Sequence, residues 1–134
     1  MKILLVDDDP TEFIFLEDAL DAAGGEHELS YAESGRAALK QLREFTPDMI
    51  ILDLRMPGMT GFDVLEAVRA DPSLAESAVM VLSNSAIAAD RTQALALGAQ
   101  DYRVKPLTPE GYAELVDAMA KLAGNANIAA PGRA

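Results

Sequence analysis

Short apolar runs alternate along the chain with longer amphipathic segments. Three runs, residues 3–6, 49–52 and 79–82, contain only hydrophobic side chains. Such runs are typical of strands that are buried on both faces of a parallel sheet. Residues 29–31 and 102–104 form two weaker runs of the same kind. The pattern therefore predicts five strands.

Five amphipathic segments lie between and after these strands. In the first, which follows Pro10, Phe15, Leu16, Ala19 and Leu20 fall at helical spacing and are predicted to face the core. The other helices are predicted at residues 34–42, from 62 to near 71, in a segment that stops before Gly98, and at 112–122. Strands that alternate with helices predict an α/β fold with a doubly wound parallel sheet.

Composition narrows the class of protein. The chain has 134 residues, a formal net charge of -11 and no cysteine. The absence of cysteine excludes disulfides and thiolate chemistry, and the acidic balance argues against nucleic acid or an anionic membrane as partner. No apolar stretch approaches membrane-spanning length. We expect a cytoplasmic protein with one domain at residues 1–123 and a disordered tail at 124–134, which leaves no room for an output domain.

Polar residues follow the predicted strands. Asp7 and Asp8 come after the first strand, Asp53 after the third, Ser83 after the fourth and Lys105 after the fifth. The carboxyl ends of parallel strands share one edge of the sheet, where ligands bind in folds of this type. Carboxylates crowded at one edge repel each other unless a cation or a proton neutralises them. An all-oxygen site of this size suits Mg²⁺.

Asp9 has a different predicted role from its two acidic neighbours. It directly precedes Pro10, and a helix commonly begins with an acidic N-cap followed by proline in its first turn. We therefore interpret Asp9 as structural.

Four motifs occur in a fixed order: VDDDP, DLRMPGMTG, VLSNS and YRVKPL. Together they resemble the receiver domain of two-component response regulators, over roughly residues 2 to 122. The resemblance implies a flavodoxin-like fold in which five strands, in the order 2-1-3-4-5, are accompanied by five helices. It also implies a phosphoprotein of phosphorelay signal transduction whose only catalysis is its own phosphorylation and dephosphorylation.

The resemblance assigns roles to the acidic residues. Asp53 would be the phosphoryl acceptor, because a carboxylate can attack a phosphoryl group and form an acyl phosphate. Asp8, Asp53 and the backbone carbonyl of Arg55 would bind Mg²⁺, and Asp7 would hold the ion directly or through water. The Arg55 side chain lies at a position that varies in the family and can reach the phosphoryl group.

The resemblance also implies a switch. Ser83 and Lys105 would contact phosphoryl oxygens, and Tyr102 would rotate inward behind Ser83 and reshape the face of the fourth helix, fifth strand and fifth helix. Simple packing of Tyr102 in a half-buried strand is the alternative. In the family the bond between Lys105 and Pro106 is usually cis. Gly58 and Gly61 would give the loop after Asp53 backbone angles that other residues resist.

Partner proteins form a further expectation. Phe13 and Ile14 extend the apolar surface of the first helix all the way round, so that they either pack near the site or dock a phosphodonor. The implied partners are a sensor histidine kinase or phosphotransfer protein and an unidentified downstream protein. Many relatives pair through the last two helices, so a homodimer stays open. His27, the single histidine, is expected to be a solvated surface residue.

Three other functions compete with this interpretation. A degenerate receiver would bind partners without phosphorylation, but Asp8, Asp53, Ser83 and Lys105 are all present. A Mg²⁺-dependent phosphohydrolase with an aspartate nucleophile would need a second acid two residues after it, where this chain has Arg55. A flavin or dinucleotide binder would need a Gly-rich loop, whereas the first loop is DDDP.

Overall fold

The computed structural model describes residues 1–124, in which five parallel strands alternate with five α-helices. The elements are β1 (Lys2–Val6), α1 (Pro10–Ala23), β2 (Glu28–Ala32), α2 (Gly35–Leu42), β3 (Met49–Leu52), α3 (Gly61–Ala70), a 3₁₀ turn (Pro72–Leu74), β4 (Ala78–Ser83), α4 (Ala88–Ala96), β5 (Asp101–Val104) and α5 (Pro109–Ala123). The strand order is β2-β1-β3-β4-β5. The predicted fold class, strand order and element positions are confirmed.

Helices cover the sheet on both faces, because alternate residues of a strand point to opposite layers. In β1, Leu4 and Val6 pack in the layer of α2, α3 and α4, whereas Ile3 and Leu5 pack in the layer of α1 and α5. Strands β3 and β4 are buried at every position. Burial on both faces explains why these strands appear in the sequence as continuous apolar runs.

Side-chain caps determine where the helices next to the sheet edge begin. The Asp9 carboxylate accepts a hydrogen bond from the Thr11 amide at 2.9 Å, so its predicted role as N-cap of α1 is confirmed. Thr60 and Asp63 form a reciprocal capping box at the start of α3. At the start of α5, the Thr108 hydroxyl accepts a hydrogen bond from the Gly111 amide at 3.0 Å. These caps define the ends of the loops that follow β1, β3 and β5.

The core-facing side of α1 differs from the prediction at one position. Leu16 and Leu20 are fully buried as expected, but Phe15 is 46% exposed and its ring packs against Tyr112 at 5.6 Å between centroids. Glu12, four residues before Leu16, is instead only 6% exposed. Residues four apart lie on the same side of a helix, so Glu12, Leu16 and Leu20 share the buried face and Phe15 lies at its margin.

Two glycines shape the loop between β3 and α3 for different reasons. Gly58 has a φ of 76°, a left-handed angle that favours glycine, as predicted. The same prediction is wrong for Gly61, which does not have a positive φ. A Cβ at Gly61 would collide with the backbone carbonyl of Asp53 and lie 2.7 Å from the Leu54 Cα. Lack of space, and not backbone angle, therefore requires glycine at this position.

Two further expectations have different outcomes. The bond between Lys105 and Pro106 is trans, because residues 1–124 contain no cis peptide bond, so the implied cis bond is wrong for this structure. The two isomers of such a bond differ by only about 0.5–1 kcal/mol, so the dipeptide sequence does not decide between them. The predicted tail lies outside the described residues except for Gly124, which ends α5. Within the described chain, every helix is too short or too polar to cross a bilayer.

Replacing Gly61 by alanine tests the packing of this loop. We expect Gly61→Ala to lower the free energy of unfolding by at least about 2 kcal/mol, because backbone must shift to admit the methyl group. Gly124→Ala is the matched control: it has a φ of 64° but open space around it, so its cost is about 1 kcal/mol. Urea unfolding measures both values, and equal losses would contradict the packing argument.

Candidate functional site

Three carboxylates gather at the carboxyl edge of the sheet. Asp7 follows β1 and Asp53 follows β3, and these strands are neighbours in which Val6 pairs with Leu52. One oxygen from each of Asp7, Asp8 and Asp53 lies within 4.8 Å of the others. Asp7 and Asp53 are buried, whereas Asp8 is exposed and opens the cluster to solvent. Strand pairing therefore produces the cluster that the sequence predicts.

Lys105 brings the ammonium group to this cluster. Its Nζ lies 2.9 Å from Asp7 Oδ2 and 3.7 Å from Asp53 Oδ2, and its side chain is 8% exposed. The Lys105 amide donates to the Ser83 carbonyl at 2.9 Å, which holds the end of β5 beside the end of β4. One ammonium thus pairs with two of the three carboxylates in the cluster, so the acidic groups outnumber the basic one.

The pKa values of these groups reflect burial and crowding. Burial, followed by the charge of Asp7, raises the pKa of Asp53 to about 6, although Lys105 opposes the shift. Burial also raises the pKa of Asp7, against hydrogen bonds from Lys105 and the Asp9 amide. For Lys105, burial alone would lower the pKa, but Asp7 and Asp53 raise it overall. The carboxylates accordingly need more positive charge than the lysine supplies.

The donor atoms fit a divalent cation such as Mg²⁺. Asp7 Oδ2 is buried, and Lys105 is its one polar partner within residues 1–124. Asp7, Asp8 and Asp53 together offer oxygen ligands and a solvent-facing side, which suits an ion that keeps several waters. The backbone amide of Arg55 opposes the rise in the pKa of Asp53, so the Arg55 backbone lies close to the cluster.

Ser83 and Tyr102, the two residues implied in the switch, both form hydrogen bonds with Ser85. Ser83 is fully buried, and its Oγ accepts a hydrogen bond from the Ser85 amide at 3.2 Å. Tyr102 is 5% exposed, and its hydroxyl donates to the Ser85 carbonyl at 2.7 Å. Asn84, between the two serines, is exposed. The ring of Tyr102 thus points inward in this structure and is more buried than a half-buried strand residue.

Sequence analysis missed a buried carboxylate near the site. Glu12 accepts hydrogen bonds from the Tyr112 hydroxyl at 2.9 and 3.1 Å, although 100 residues separate the two in sequence. Burial raises the pKa of Glu12, and Tyr112 and Lys105 oppose the shift. The pKa of Tyr112 is also raised, first by burial and then by Glu12. The position of Glu12, four residues before the predicted core residue Leu16, is the sequence signal that indicates its burial.

Three further candidates are Phe13, Ile14 and His27. Phe13 is half-buried and its ring packs against Tyr31 at 5.6 Å between centroids, whereas Ile14 is 55% exposed. His27 precedes β2 at the opposite edge of the sheet, and its Nε2 lies 3.3 Å from Asp21 Oδ1. The side chain of His27 is only 14% exposed, so the expectation of a solvated histidine is wrong.

The sequence of the chain is similar to those of known proteins. Residues 3–118 match the family model of the response regulator receiver domain. The protein PilH of Pseudomonas aeruginosa is 31% identical over 118 residues, which is 88% of this chain and 96% of PilH. Several curated relatives named as DNA-binding or transcriptional regulators are longer, and the chain spans only 41% to 46% of their length.

Solved structures show the same similarity. The Mn²⁺-bound form of response regulator Rcp1 superposes with a TM-score of 0.79 at 26% identity, covering 90% of this chain and 91% of that one. The phosphorylated cyanobacterial phytochrome response regulator RcpA superposes with a TM-score of 0.80 at 29% identity, again covering 90% and 91%.

The raised pKa of Asp53 predicts a pH-dependent stability when magnesium is chelated. Between the ordinary value of 3.8 and about 6 the folded protein binds more protons than the unfolded chain, so stability falls as pH rises through this window. Asp53→Asn removes the free-energy cost of ionising a buried Asp53 in the folded protein. We expect the variant to gain about 2 kcal/mol over the wild type at pH 7.5, and much less at pH 4.5.

Urea unfolding in EDTA at the two pH values measures this difference. Glu66→Gln, which removes an exposed acid from α3, is the matched control for net charge. Added Mg²⁺ should stabilise the wild type more than Asp53→Asn, because the ion compensates the buried charge. An equal effect of Asp53→Asn at both pH values would contradict the raised pKa.

Proposed function

The chain belongs to the response regulator receiver domain family, and from that premise we propose that it accepts a phosphoryl group on Asp53. The observation that carries the proposal is the cluster of Asp7, Asp8 and Asp53 beside Lys105. A carboxylate surrounded by like charge and low in solvent exposure is a poor partner for an anionic donor on its own. A site of that kind therefore requires a cation as part of its function.

The chemistry begins with an oxygen of the ionised Asp53 carboxylate, which attacks the phosphorus atom. A bond from that oxygen to phosphorus forms while the bond from phosphorus to a histidine nitrogen of the donor breaks. The electron pair stays on the nitrogen, and a small acyl phosphate would instead release its carboxylate. When bound by Asp7, Asp8 and Asp53, Mg²⁺ supplies positive charge to the transferring oxygens.

Two side chains of the protein complete the site in this proposal. Lys105, whose Nζ is 3.7 Å from Asp53 Oδ2, would pair with one phosphoryl oxygen. The Ser83 hydroxyl accepts a hydrogen bond from Ser85 but donates none within the described chain. Its proton is therefore available for a second phosphoryl oxygen. Arg55 would contribute its backbone carbonyl to the metal, as the family pattern implies.

The comparisons support the metal, the phosphorylation and the stand-alone form. Rcp1 is described with Mn²⁺ bound and RcpA is described as phosphorylated, and both share this fold. PilH matches the chain over 96% of its own length. We therefore include in the proposal that residues 1–123 form a stand-alone cytoplasmic receiver. Its catalysis would be limited to its own phosphorylation and dephosphorylation.

Partners would meet two surfaces. Ile14 and Phe15 are exposed on α1, and Phe15 lines a groove of about 650 Å³ whose other wall includes Leu107, which is 97% exposed. We propose that the histidine kinase or phosphotransfer protein docks on this side, with Ile14 rather than the half-buried Phe13 as the main contact. A downstream protein would bind the surface formed by α4, β5 and α5. On this surface Ile87 is 60% exposed and Val104 is 50% exposed.

Phosphorylation by a small donor tests the proposed function directly. With acetyl phosphate and Mg²⁺, intact-mass measurement should show the gain of one phosphoryl group per chain. Asp53→Asn should gain none, because the acceptor oxygen is lost, and EDTA should abolish the gain in the wild type. A wild-type chain that stays unmodified would reject the proposal and favour a receiver that binds partners without phosphorylation.

Docking of the phosphodonor gives a separate test. Ile14→Ser should slow transfer from a phosphorylated histidine kinase by about tenfold, because an exposed apolar contact at an interface is lost. The same variant should react with acetyl phosphate at the wild-type rate. Leu95→Ser, which changes an apolar residue 39% exposed on α4, is the matched control and should leave both reactions unchanged. Equal slowing with both donors would remove Ile14 from the docking surface.

A further inference from the structure

The side chain of Arg55 forms an ion pair with Asp90, which lies on α4. Its Nη2 donates a hydrogen bond of 2.7 Å to Asp90 Oδ2, across 35 residues of sequence. The arginine side chain is 61% exposed, but that of Asp90 is only 11% exposed. A largely exposed guanidinium thus satisfies a nearly buried acid. The arginine can change partner with little change in its solvation, whereas the acid cannot.

Ser85 connects this ion pair to the two residues proposed to switch. Its hydroxyl donates to the same Asp90 oxygen at 2.7 Å. Its amide donates to Ser83 Oγ at 3.2 Å, and its carbonyl accepts from the Tyr102 hydroxyl at 2.7 Å. Every polar group of Ser85 is therefore engaged. A continuous set of hydrogen bonds joins Arg55 to Ser83 and Tyr102.

The start of α4 depends on the same contacts. Its N-cap, Ile87, has no side chain that could accept a hydrogen bond from the first turn. The Ile87 amide instead donates to Ser85 Oγ at 3.2 Å, and the Asp90 carboxylate lies in the first turn, where negative charge is favourable. Asp90 thus connects the Arg55 guanidinium to Ser85 and to the beginning of α4.

We propose that Asp90 is a positioning residue that holds the Arg55 guanidinium off the phosphorylation site, and that modification of Asp53 transfers this guanidinium from Asp90 to the phosphoryl group. The inference rests on the proposed function of Asp53. Arg55 lies two residues after Asp53 in the chain, so its side chain starts close to the acceptor. Ser85 and the first turn of α4 then respond to the loss of Arg55.

Charge is the physical reason for the exchange. A phosphoryl group adds about 1.5 to 2 negative charges and three strong acceptor oxygens where Asp53 had a single carboxylate. Guanidinium groups bind such oxygens with two parallel hydrogen bonds, which favours the phosphoryl group over the single contact to Asp90. The exchange leaves Lys105 with Asp7 and Asp53, so the arginine adds to the charge of the site without replacing the lysine.

A double-mutant cycle tests whether Asp90 acts through Arg55. Rates of phosphorylation by acetyl phosphate at saturating Mg²⁺ are measured for wild type, Asp90→Asn, Arg55→Ala and the double variant. Freed from Asp90, Arg55 should attract the anionic donor, so Asp90→Asn should react about three- to tenfold faster than wild type. In the Arg55→Ala background the same change should have less than about a twofold effect.

Other results of the cycle overturn the proposal. Equal acceleration by Asp90→Asn in both backgrounds would mean that loss of a negative charge acts by itself, and no acceleration in either would mean that Arg55 is not withheld. Glu66→Gln measures the effect of one charge removed elsewhere on the surface. If Arg55→Ala unfolds, Arg55→Gln replaces it, because glutamine keeps a hydrogen-bond donor for Asp90 but no charge for the phosphodonor.

NMR separates this proposal from the proposed function. In the unmodified protein, the Arg55 Nη2–H signal should be protected from exchange in wild type and lose protection in Asp90→Asn. After reaction with acetyl phosphate, the Ile87 amide should shift in wild type but not in Asp53→Asn. A phosphorylated wild type with an unmoved Ile87 amide overturns the transfer and leaves the proposed function standing. A wild type that takes up no phosphoryl group rejects both.

Discussion

The crowding of like charge at one end of the sheet is the constraint on which the rest of the structure depends. Because β1 and β3 are neighbours, Asp7 and Asp53 have to share one small volume, and burial makes both harder to ionise. The ammonium of Lys105 relieves only part of that repulsion. A rigid sheet buried on both faces supports the unfavourable arrangement, since a looser scaffold would let the carboxylates move apart.

Much of the fold could be predicted because its strongest signal is simple. A strand buried on both faces has no polar alternation, so β3 and β4 are visible as continuous apolar runs. Helix faces were harder to assign. Apolar spacing placed Phe15 in the core, whereas the buried position belongs to Glu12, whose hydroxyl partner comes from α5. Local pattern carries no information about such a distant partner.

The candidate site could be predicted because the carboxyl ends of neighbouring parallel strands lie at the same edge of the sheet. Polar residues that follow those strands are therefore close together. From the sequence alone, this rule predicts that Asp7, Asp53 and Lys105 lie together, and the ion pairs of Lys105 with both acids agree. It could not reveal which side chains connect the loops to each other. The pair of Arg55 and Asp90 depends on how α4 is placed, and the collision that excludes a methyl group at Gly61 depends on backbone from another turn.

The bond between Glu12 and Tyr112 has a consequence for the history of the chain. Removing either partner alone would leave a buried polar group without a hydrogen bond, whereas replacing both with apolar side chains of similar shape can be nearly neutral. Evolution should therefore treat the two positions as one unit. Homologues of this sequence would have either an acid and a hydroxyl at these two positions or apolar side chains at both. Combinations of one polar and one apolar residue would be selected against.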